Sequence, residues 1–137
     1  MKKILVISML AVISISMITG CGKKKEEEKK QQEQGKVNVN TKEEVIGDKQ
    51  VEVFKFEKTS LTYDNKVTRL QTRVTNTSEE EQTLIQFRVH FIKDEKEIIN
   101  LPGYVGKTLK PKETKILTTT YGGDITDITR IEYEIIK

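Results

Sequence analysis

Residues 83–93 read Thr-Leu-Ile-Gln-Phe-Arg-Val-His-Phe-Ile-Lys, and this stretch decides the fold. Apolar and polar side chains alternate along it. The apolar positions are Ile85, Phe87, Val89 and Phe91, and the polar positions between them are Gln86, Arg88 and His90. Because residues two apart lie on one face of a β-strand, the stretch predicts a strand that buries one face and exposes the other.

The same period of two continues in both directions along the chain. Leu70, Thr72 and Val74 alternate with Arg69, Gln71 and Arg73 in residues 67–76, and Ile131, Tyr133 and Ile135 alternate with Arg130, Glu132 and Glu134 in residues 128–136. Further strands are predicted over 51–58 and 114–121 and from Ile98, with a tight turn at Asp64-Asn65 and a strand end at Pro102-Gly103. About seven short strands separated by turns predict an all-β fold, an immunoglobulin-like antiparallel β-sandwich.

An apolar run over residues 4–18 follows Lys2 and Lys3, in the order of a secretory signal peptide. The run is shorter than the roughly 20 residues that a membrane-spanning helix needs. It ends in Ile18-Thr19-Gly20-Cys21, which resembles the bacterial lipobox. The resemblance implies cleavage between Gly20 and Cys21, with diacylglycerol on the thiol of Cys21. An ordinary signal peptide with an incidental cysteine and an uncleaved anchor are the alternatives.

Composition divides the chain into three parts. Residues 1–20 form the predicted lipoprotein signal peptide, and residues 21–50 are the lipidated cysteine with a flexible charged linker. Residues 51–137 form the β-sandwich domain. The first 50 residues carry ten lysines against seven carboxylates, which accounts for the whole net charge of +3. The domain is therefore neutral and lacks the basic footprint of a nucleic-acid-binding protein. A single cysteine excludes an internal disulfide.

Three segments of the predicted domain resemble a known family. They are Val74-Thr75-Asn76-Thr77-Ser78, Phe87-Arg88-Val89-His90-Phe91 and Leu109-Lys110-Pro111-Lys112-Glu113, and in this order they resemble the immunoglobulin-like FxLYD-type domains of secreted and lipid-anchored prokaryotic proteins. Four positions depart from that pattern: Ile92, Lys93, Lys96 and Lys112 stand where the family has Tyr, Asp, Gly and Gly. The resemblance implies an accessory or interaction module without catalytic residues.

The residue types for common catalytic and metal sites are sparse. His90 is the only histidine, and a zinc site needs three or four protein ligands, so we expect no metal at His90. Asn76-Thr77-Ser78 and the acidic residues 79–81 are interpreted as turn residues. No serine has a plausible histidine and acid partner. We therefore expect no catalytic residue and no cofactor.

One hypothesis concerns a binding surface. If the strands 67–76 and 83–93 paired as a hairpin, Arg69, Arg73, Arg88 and His90 would share one basic face for an anion or an acidic partner. In an immunoglobulin topology the two strands belong to opposite sheets, and that face does not exist.

These features together predict a lipoprotein held by acylated Cys21 on the outer side of the membrane, and the Lys-, Ile- and Glu-rich composition favours a Gram-positive bacterium. The expected role is non-catalytic binding or interaction with an envelope protein or polymer, without nucleic acid. The alternative is a solute- or wall-polymer-binding lipoprotein that assists transport or envelope assembly. A pocket of several hundred Å³ would favour the alternative, and an open sheet edge would favour protein–protein contact.

Overall fold

Two antiparallel sheets pack face to face in a computed structural model that describes residues 35–83 and 86–136. The predicted all-β sandwich is confirmed. The signal peptide, Cys21 and Ile85 lie outside the described residues. The elements are β1 (Asn38–Asn40), α1 (Glu43–Ile46), β2 (Lys49–Val51), β3 (Phe54–Asp64), β4 (Val67–Asn76), β5 (Gln82–Thr83), β6 (Gln86–Lys93), β7 (Lys96–Tyr104), β8 (Thr108–Leu109), β9 (Thr114–Gly122) and β10 (Arg130–Ile136).

The strands divide between a larger and a smaller sheet. The larger sheet has the order β1-β3-β4-β9, with β2 also paired to β3, and the smaller sheet has the order β10-β6-β7. Strands β5 and β8 form a short separate ribbon. The chain crosses from one sheet to the other after β4, after β7 and after β9, so neighbouring strands in sequence often belong to opposite layers.

Aromatic side chains join the two layers in the core. Phe56 of the larger sheet packs edge-on against Phe87 of the smaller sheet, with ring centroids 5.1 Å apart, and stacks on Tyr133 at 3.9 Å. Phe54 contacts Phe87 from the same side at 5.4 Å. Edge-to-face and stacked rings of this kind add to the stability that burial alone supplies.

The alternation in sequence matches the burial pattern of three strands. Leu70, Thr72 and Val74 of β4 are buried while the arginines and Gln71 between them are exposed. In β6 the buried residues are Phe87, Val89 and Phe91, and in β10 they are Ile131 and Tyr133. The predicted inner and outer faces of these strands are therefore confirmed.

Strand β3 changes its inward parity at a β-bulge. Its buried residues are first Phe54 and Phe56 and then Thr59 and Leu61, and the register with β4 shifts between Glu57 and Ser60. A bulge adds one residue to one strand, so the side chains after it move to the opposite face. The predicted single strand 51–58 is wrong for a different reason: Val51 ends β2, residues 52 and 53 form a tight turn, and β3 begins at Phe54, so the apolar residues belong to two strands and the turn between them.

Two-residue turns close both long hairpins. Asn65 and Lys66, between β3 and β4, have φ angles of 49° and 67°, and Asp94 and Glu95, between β6 and β7, have φ angles of 48° and 64°. Positive φ at both central positions defines the type I′ turn, which matches the twist of antiparallel strands. The predicted turn at Asp64-Asn65 is therefore present, one residue later.

The prediction that Pro102-Gly103 ends a strand is wrong. Strand β7 continues through both residues to Tyr104. Its only strand partner among the described residues is β6, so β7 is an edge strand. Proline is tolerated there, because on the side without a partner its missing N–H removes no hydrogen bond between strands. Gly103 is required for packing, since a Cβ there would lie 2.7 Å from Cδ1 of Leu117 in the opposite sheet.

The sandwich also contains residues that the sequence analysis assigned to the linker. Strand β1 pairs with residues 61–63 and β2 pairs with residues 54–56 of β3. Between them, Val45 of α1 is 1% exposed and belongs to the core. Buried Asn40 donates to the carbonyl oxygens of Thr126 at 2.7 Å and Ile128 at 3.3 Å. The described fold thus begins ahead of Val51, because short polar segments such as Asn-Val-Asn gain their stability from tertiary contacts that composition does not reveal.

Candidate functional site

The four residues of the hypothetical basic face lie on two different sheets. Arg69 and Arg73 are on the outer face of β4 in the larger sheet, and Arg88 and His90 are on the outer face of β6 in the smaller sheet. Strand β4 pairs with β3 and β9, while β6 pairs with β7 and β10. The prediction of one combined basic face is therefore wrong, because the chain crosses the sandwich between β4 and β6 instead of turning back in one sheet.

On the smaller sheet, His90 is held between two carboxylates. Its Nδ1 contacts the carboxylate of Glu97 on β7, and its Nε2 lies 3.2 Å from Oε2 of Glu134 on β10. The same Glu134 oxygen is 3.8 Å from Nη1 of Arg88. The imidazole thus bridges all three strands, and its side chain is only 20% exposed.

Each ring nitrogen of His90 faces a hydrogen-bond acceptor. A carboxylate only accepts hydrogen bonds, so both ring nitrogens of His90 donate together only in the protonated imidazolium. Asn100 donates to Oε1 of Glu97 at 2.7 Å, and this bond, followed by the contact with His90, lowers the pKa of the Glu97 carboxyl. Within residues 35–83 and 86–136 no group of three metal-ligating side chains is arranged around one point, and the two glutamates lie at opposite nitrogens of the ring.

On the larger sheet, Arg69 and Arg73 remain without a carboxylate partner among the described residues. Glu57 lies directly opposite Arg73 in the ladder, but its carboxylate pairs with Nζ of Lys55 at 2.7 Å. The neighbouring outward positions of β9 are threonines and exposed Ile116. The two arginines are therefore separate guanidinium groups four residues apart on the outer face of one strand.

The structure also contains a groove that the sequence did not predict. It lies between the edges of β2 and β10, has a cavity volume of about 470 Å³ and is open to solvent. Its floor is apolar and its rim is charged: Val51, Ile131 and Tyr133 lie below Glu44, Lys49, Gln50, Arg130 and Glu132. Nε of Arg130 is 2.8 Å from Oε1 of Glu132.

This groove depends on the position of β2. Because residues 49 and 50 were assigned to the linker and Val51 to the start of a strand, the sequence offered no second wall for the groove. An apolar floor with a few polar groups around it is the usual character of a small-molecule or peptide site. The groove is therefore the candidate binding site of the described domain.

Below the groove, the Tyr133 hydroxyl is buried against two threonines. Thr59 and Thr72 hydrogen-bond each other at 2.9 Å, and the Tyr133 hydroxyl is left without a partner of good geometry. Burial raises the pKa of Tyr133, and the neighbouring Thr59 and Thr72 hydroxyls oppose that shift. These three side chains pack the two layers together.

Two of the segments that resemble the FxLYD-type family, 74–78 and 109–113, meet at one end of the sandwich. The Asn76 side chain, which is fully buried, donates to the carbonyl oxygens of Glu80 at 2.7 Å and Leu109 at 3.1 Å. Its Oδ1 accepts from Oγ of Ser78 at 2.7 Å. Lys112, which stands where the family has glycine, has a φ of 60°. These residues hold together the turns at this end of the sandwich.

Comparison with known proteins gives no match at the family, sequence or structure level: no family model fits the chain, and no curated protein or solved structure is significantly similar to it. In the described part of the chain, no helix has the length and apolar character needed to cross a membrane.

Proposed function

We propose that the protein is a lipid-anchored, extracytoplasmic binding module of a bacterial, and by composition Gram-positive, envelope. The observation that carries this proposal is the order of segments: basic residues, an apolar run, Ile18-Thr19-Gly20-Cys21, a charged stretch and then a β-sandwich. In this proposal the thiolate of Cys21 attacks the glycerol carbon of a phospholipid that carries the phosphate, the bond between that carbon and the phosphate oxygen breaks, and the headgroup leaves as a phosphate ester. Cys21 keeps a diacylglycerol thioether, and a two-chain anchor gives stable membrane attachment.

The anchor is tested by growth of an expressing bacterium with an alkyne-labelled palmitate analogue. The wild-type chain is expected to take up the label, and Cys21→Ala is expected to lose it completely. Gly20→Asp is the companion variant, because it keeps the thiol and removes the small residue before the cleavage site. Label on the Cys21→Ala protein would overturn the assignment.

The binding role rests on the groove between β2 and β10. We propose that it takes an extended segment of an envelope protein, because four consecutive residues of β10, a strand that pairs only with β6 among the described residues, line it and its lining carries both signs of charge. A photo-crosslinking amino acid at Lys49 is expected to capture one dominant envelope protein. The same amino acid at Asp64, at the far end of β3, is the matched control.

The alternative function is binding of a solute or a wall polymer, and the volume of the groove favours it over a flat surface. The two proposals differ in what the Lys49 crosslink captures. A protein band that is absent from the Asp64 control supports the interaction module. Crosslinked wall material without a protein band supports the alternative, and equal labelling at both positions would overturn the groove as the site.

A further inference from the structure

Strand β9 forms an open edge of the larger sheet. It pairs with β4 and with no other strand among the described residues. Residues 116–122 read Ile-Leu-Thr-Thr-Thr-Tyr-Gly and contain neither a charge nor a proline. Ile116 is 62% exposed on this strand. Long uncharged edges with unpaired backbone groups are ready to pair with another strand.

The other sheet edges carry features that disfavour pairing with a second copy of the same strand. Strand β7 contains Pro102, which lacks a backbone N–H, and begins with Lys96 and Glu97. Strand β10 alternates Arg130, Glu132 and Glu134 with apolar residues. Strands β1 and β2 have only three residues each. Short strands, charges and proline are the common means by which proteins protect a sheet edge.

The one charge on β9 does not protect its edge. Lys115 is half-buried, and its ammonium donates to the carbonyl oxygen of Thr108 at 2.8 Å within the same molecule. The ammonium group is therefore already hydrogen-bonded to a backbone carbonyl oxygen near the start of the strand. The uncharged part that follows it is seven residues long, which is longer than the average strand of five or six residues.

We propose that the β9 edge binds the β9 edge of a second copy of this chain, in an antiparallel pair centred on Thr118. In this register Ile116 lies opposite Thr120 of the second copy, and Thr118 lies opposite Thr118 of the second copy. No like charges meet. The same operation on β10, centred on Tyr133, would place Glu132 opposite Glu134 of the second copy, and like charges directly opposite are destabilising.

The pairing would join two larger sheets into one continuous sheet across a two-fold axis. A contact limited to one strand and its flanking side chains falls below the roughly 1,000 Å² of a stable interface, so the dimer is weak and concentration-dependent. A self-complementary surface of this kind is the normal arrangement in two-fold homodimers.

Disulfide crosslinking tests the register directly. The full chain with Cys21→Ala and Thr118→Cys has a single thiol, which the two-fold axis places beside its counterpart. Oxidation of the protein in mild detergent is expected to give a disulfide dimer. Val39→Cys in the same background is the matched control, because Val39 is exposed on β1 at the other edge of the larger sheet. Equal crosslinking at both positions, or no dimer from Thr118→Cys, overturns the proposal.

Charge changes provide a second and independent measurement. In the Thr118→Cys background, Ile116→Lys with Thr120→Lys sets lysine opposite lysine twice, and the dimer is expected to decrease at least about tenfold. Ile116→Lys with Thr120→Glu sets lysine opposite glutamate, and the dimer is expected to persist. Both pairs change exposed positions, so circular dichroism of each variant should match the parent. If the amount of dimer is the same for both pairs of substitutions, the proposed register is wrong.

Discussion

At the scale of single residues, Asn76 shows how one side chain organises an entire end of the sandwich. It lies at the end of β4, is fully buried, and contacts the turn after β4, strand β8 and the loop before β9 through five side-chain hydrogen bonds. Its backbone oxygen also accepts from the N–H of Lys112 at 2.9 Å. Buried polar networks of this kind are costly to disrupt because their partners are left unpaired.

Asn76→Ala is expected to lower the free energy of unfolding by about 2–3 kcal/mol, because the carbonyl oxygens of Glu80, Leu109 and Lys110 would lose their donor inside the protein. Urea denaturation of the two proteins measures the difference. Asn100→Ala is the control, since Asn100 is exposed on β7, and its effect should stay within about 0.5 kcal/mol. Similar losses at both positions would contradict the role given to Asn76.

A second residue-scale prediction concerns Tyr133 and alkaline pH. Burial raises the pKa of its hydroxyl, while the unfolded chain titrates near pH 10, at about the ordinary tyrosine value. Unfolding therefore releases a proton at high pH, so the stability that Tyr133 supplies is complete below about pH 10 and is lost as the pH rises through the folded-state pKa.

The variant Tyr133→Phe is expected to lose less stability than wild type when the pH is raised from 8 to 11, and to differ little from wild type at pH 8. Thermal unfolding across that range measures this difference. Tyr104→Phe serves as the comparison, because Tyr104 is 61% exposed, and it should follow the wild-type curve. If Tyr133→Phe also follows that curve, the buried hydroxyl does not control alkaline stability.

At the scale of elements, the strands that could be predicted are those with one solvent-exposed and one buried face. Strands β4, β6 and β10 alternate without interruption, so local pattern gives their position and their inner face. The inner face of β3 could not be predicted from the pattern, because the extra residue at Lys58-Thr59 moves the following side chains to the opposite face. The course of β7 through Pro102-Gly103 depends on its edge position and on Leu117 across the sandwich, which no local pattern contains.

The hairpin turns give an element-scale prediction. Lys66 holds a φ of 67° in the type I′ turn between β3 and β4, and Asn-Gly is the preferred pair for that turn. Lys66→Gly should raise the free energy of unfolding by about 0.5–1 kcal/mol, since glycine adopts positive φ without the Cβ penalty.

Chemical denaturation measures the change, with Lys96→Gly as the control. Lys96 directly follows the corresponding turn between β6 and β7 but does not have a positive φ, so glycine there removes a strand side chain and should slightly lower stability. A gain at Lys96 equal to that at Lys66 would show that the effect does not come from turn geometry.

At the scale of the whole molecule, strand pairing separates what the sequence could and could not predict. The class of fold follows from periodicity, but which strands share a sheet follows from crossovers between layers. Arg69 and Arg88 have the same local pattern and lie on opposite sides of the sandwich. The groove likewise requires β2 and β10, which are far apart in sequence, so neither its walls nor its floor could be recognised locally.

The position where the folded domain begins is the last consequence at this scale. A chain that starts at residue 37 keeps β1, α1 and β2, whereas a chain that starts at residue 51 loses them. The second chain exposes core surface covered by Val45, worth about 1.5–3 kcal/mol. It also loses two hydrogen bonds from Asn40 to the loop before β10, worth about 1 kcal/mol each.

The shorter chain should therefore be less stable by at least about 3 kcal/mol, a large part of the 5–15 kcal/mol typical of a domain. Urea unfolding of the two chains measures this loss, and Val45→Ala in the longer chain reports the share that comes from the helix alone. Equal stability of the two chains would mean that residues 38–50 contact the sandwich without contributing to its free energy of unfolding. A large loss means that the short polar strand, the single helical turn and the long strands form one cooperative unit.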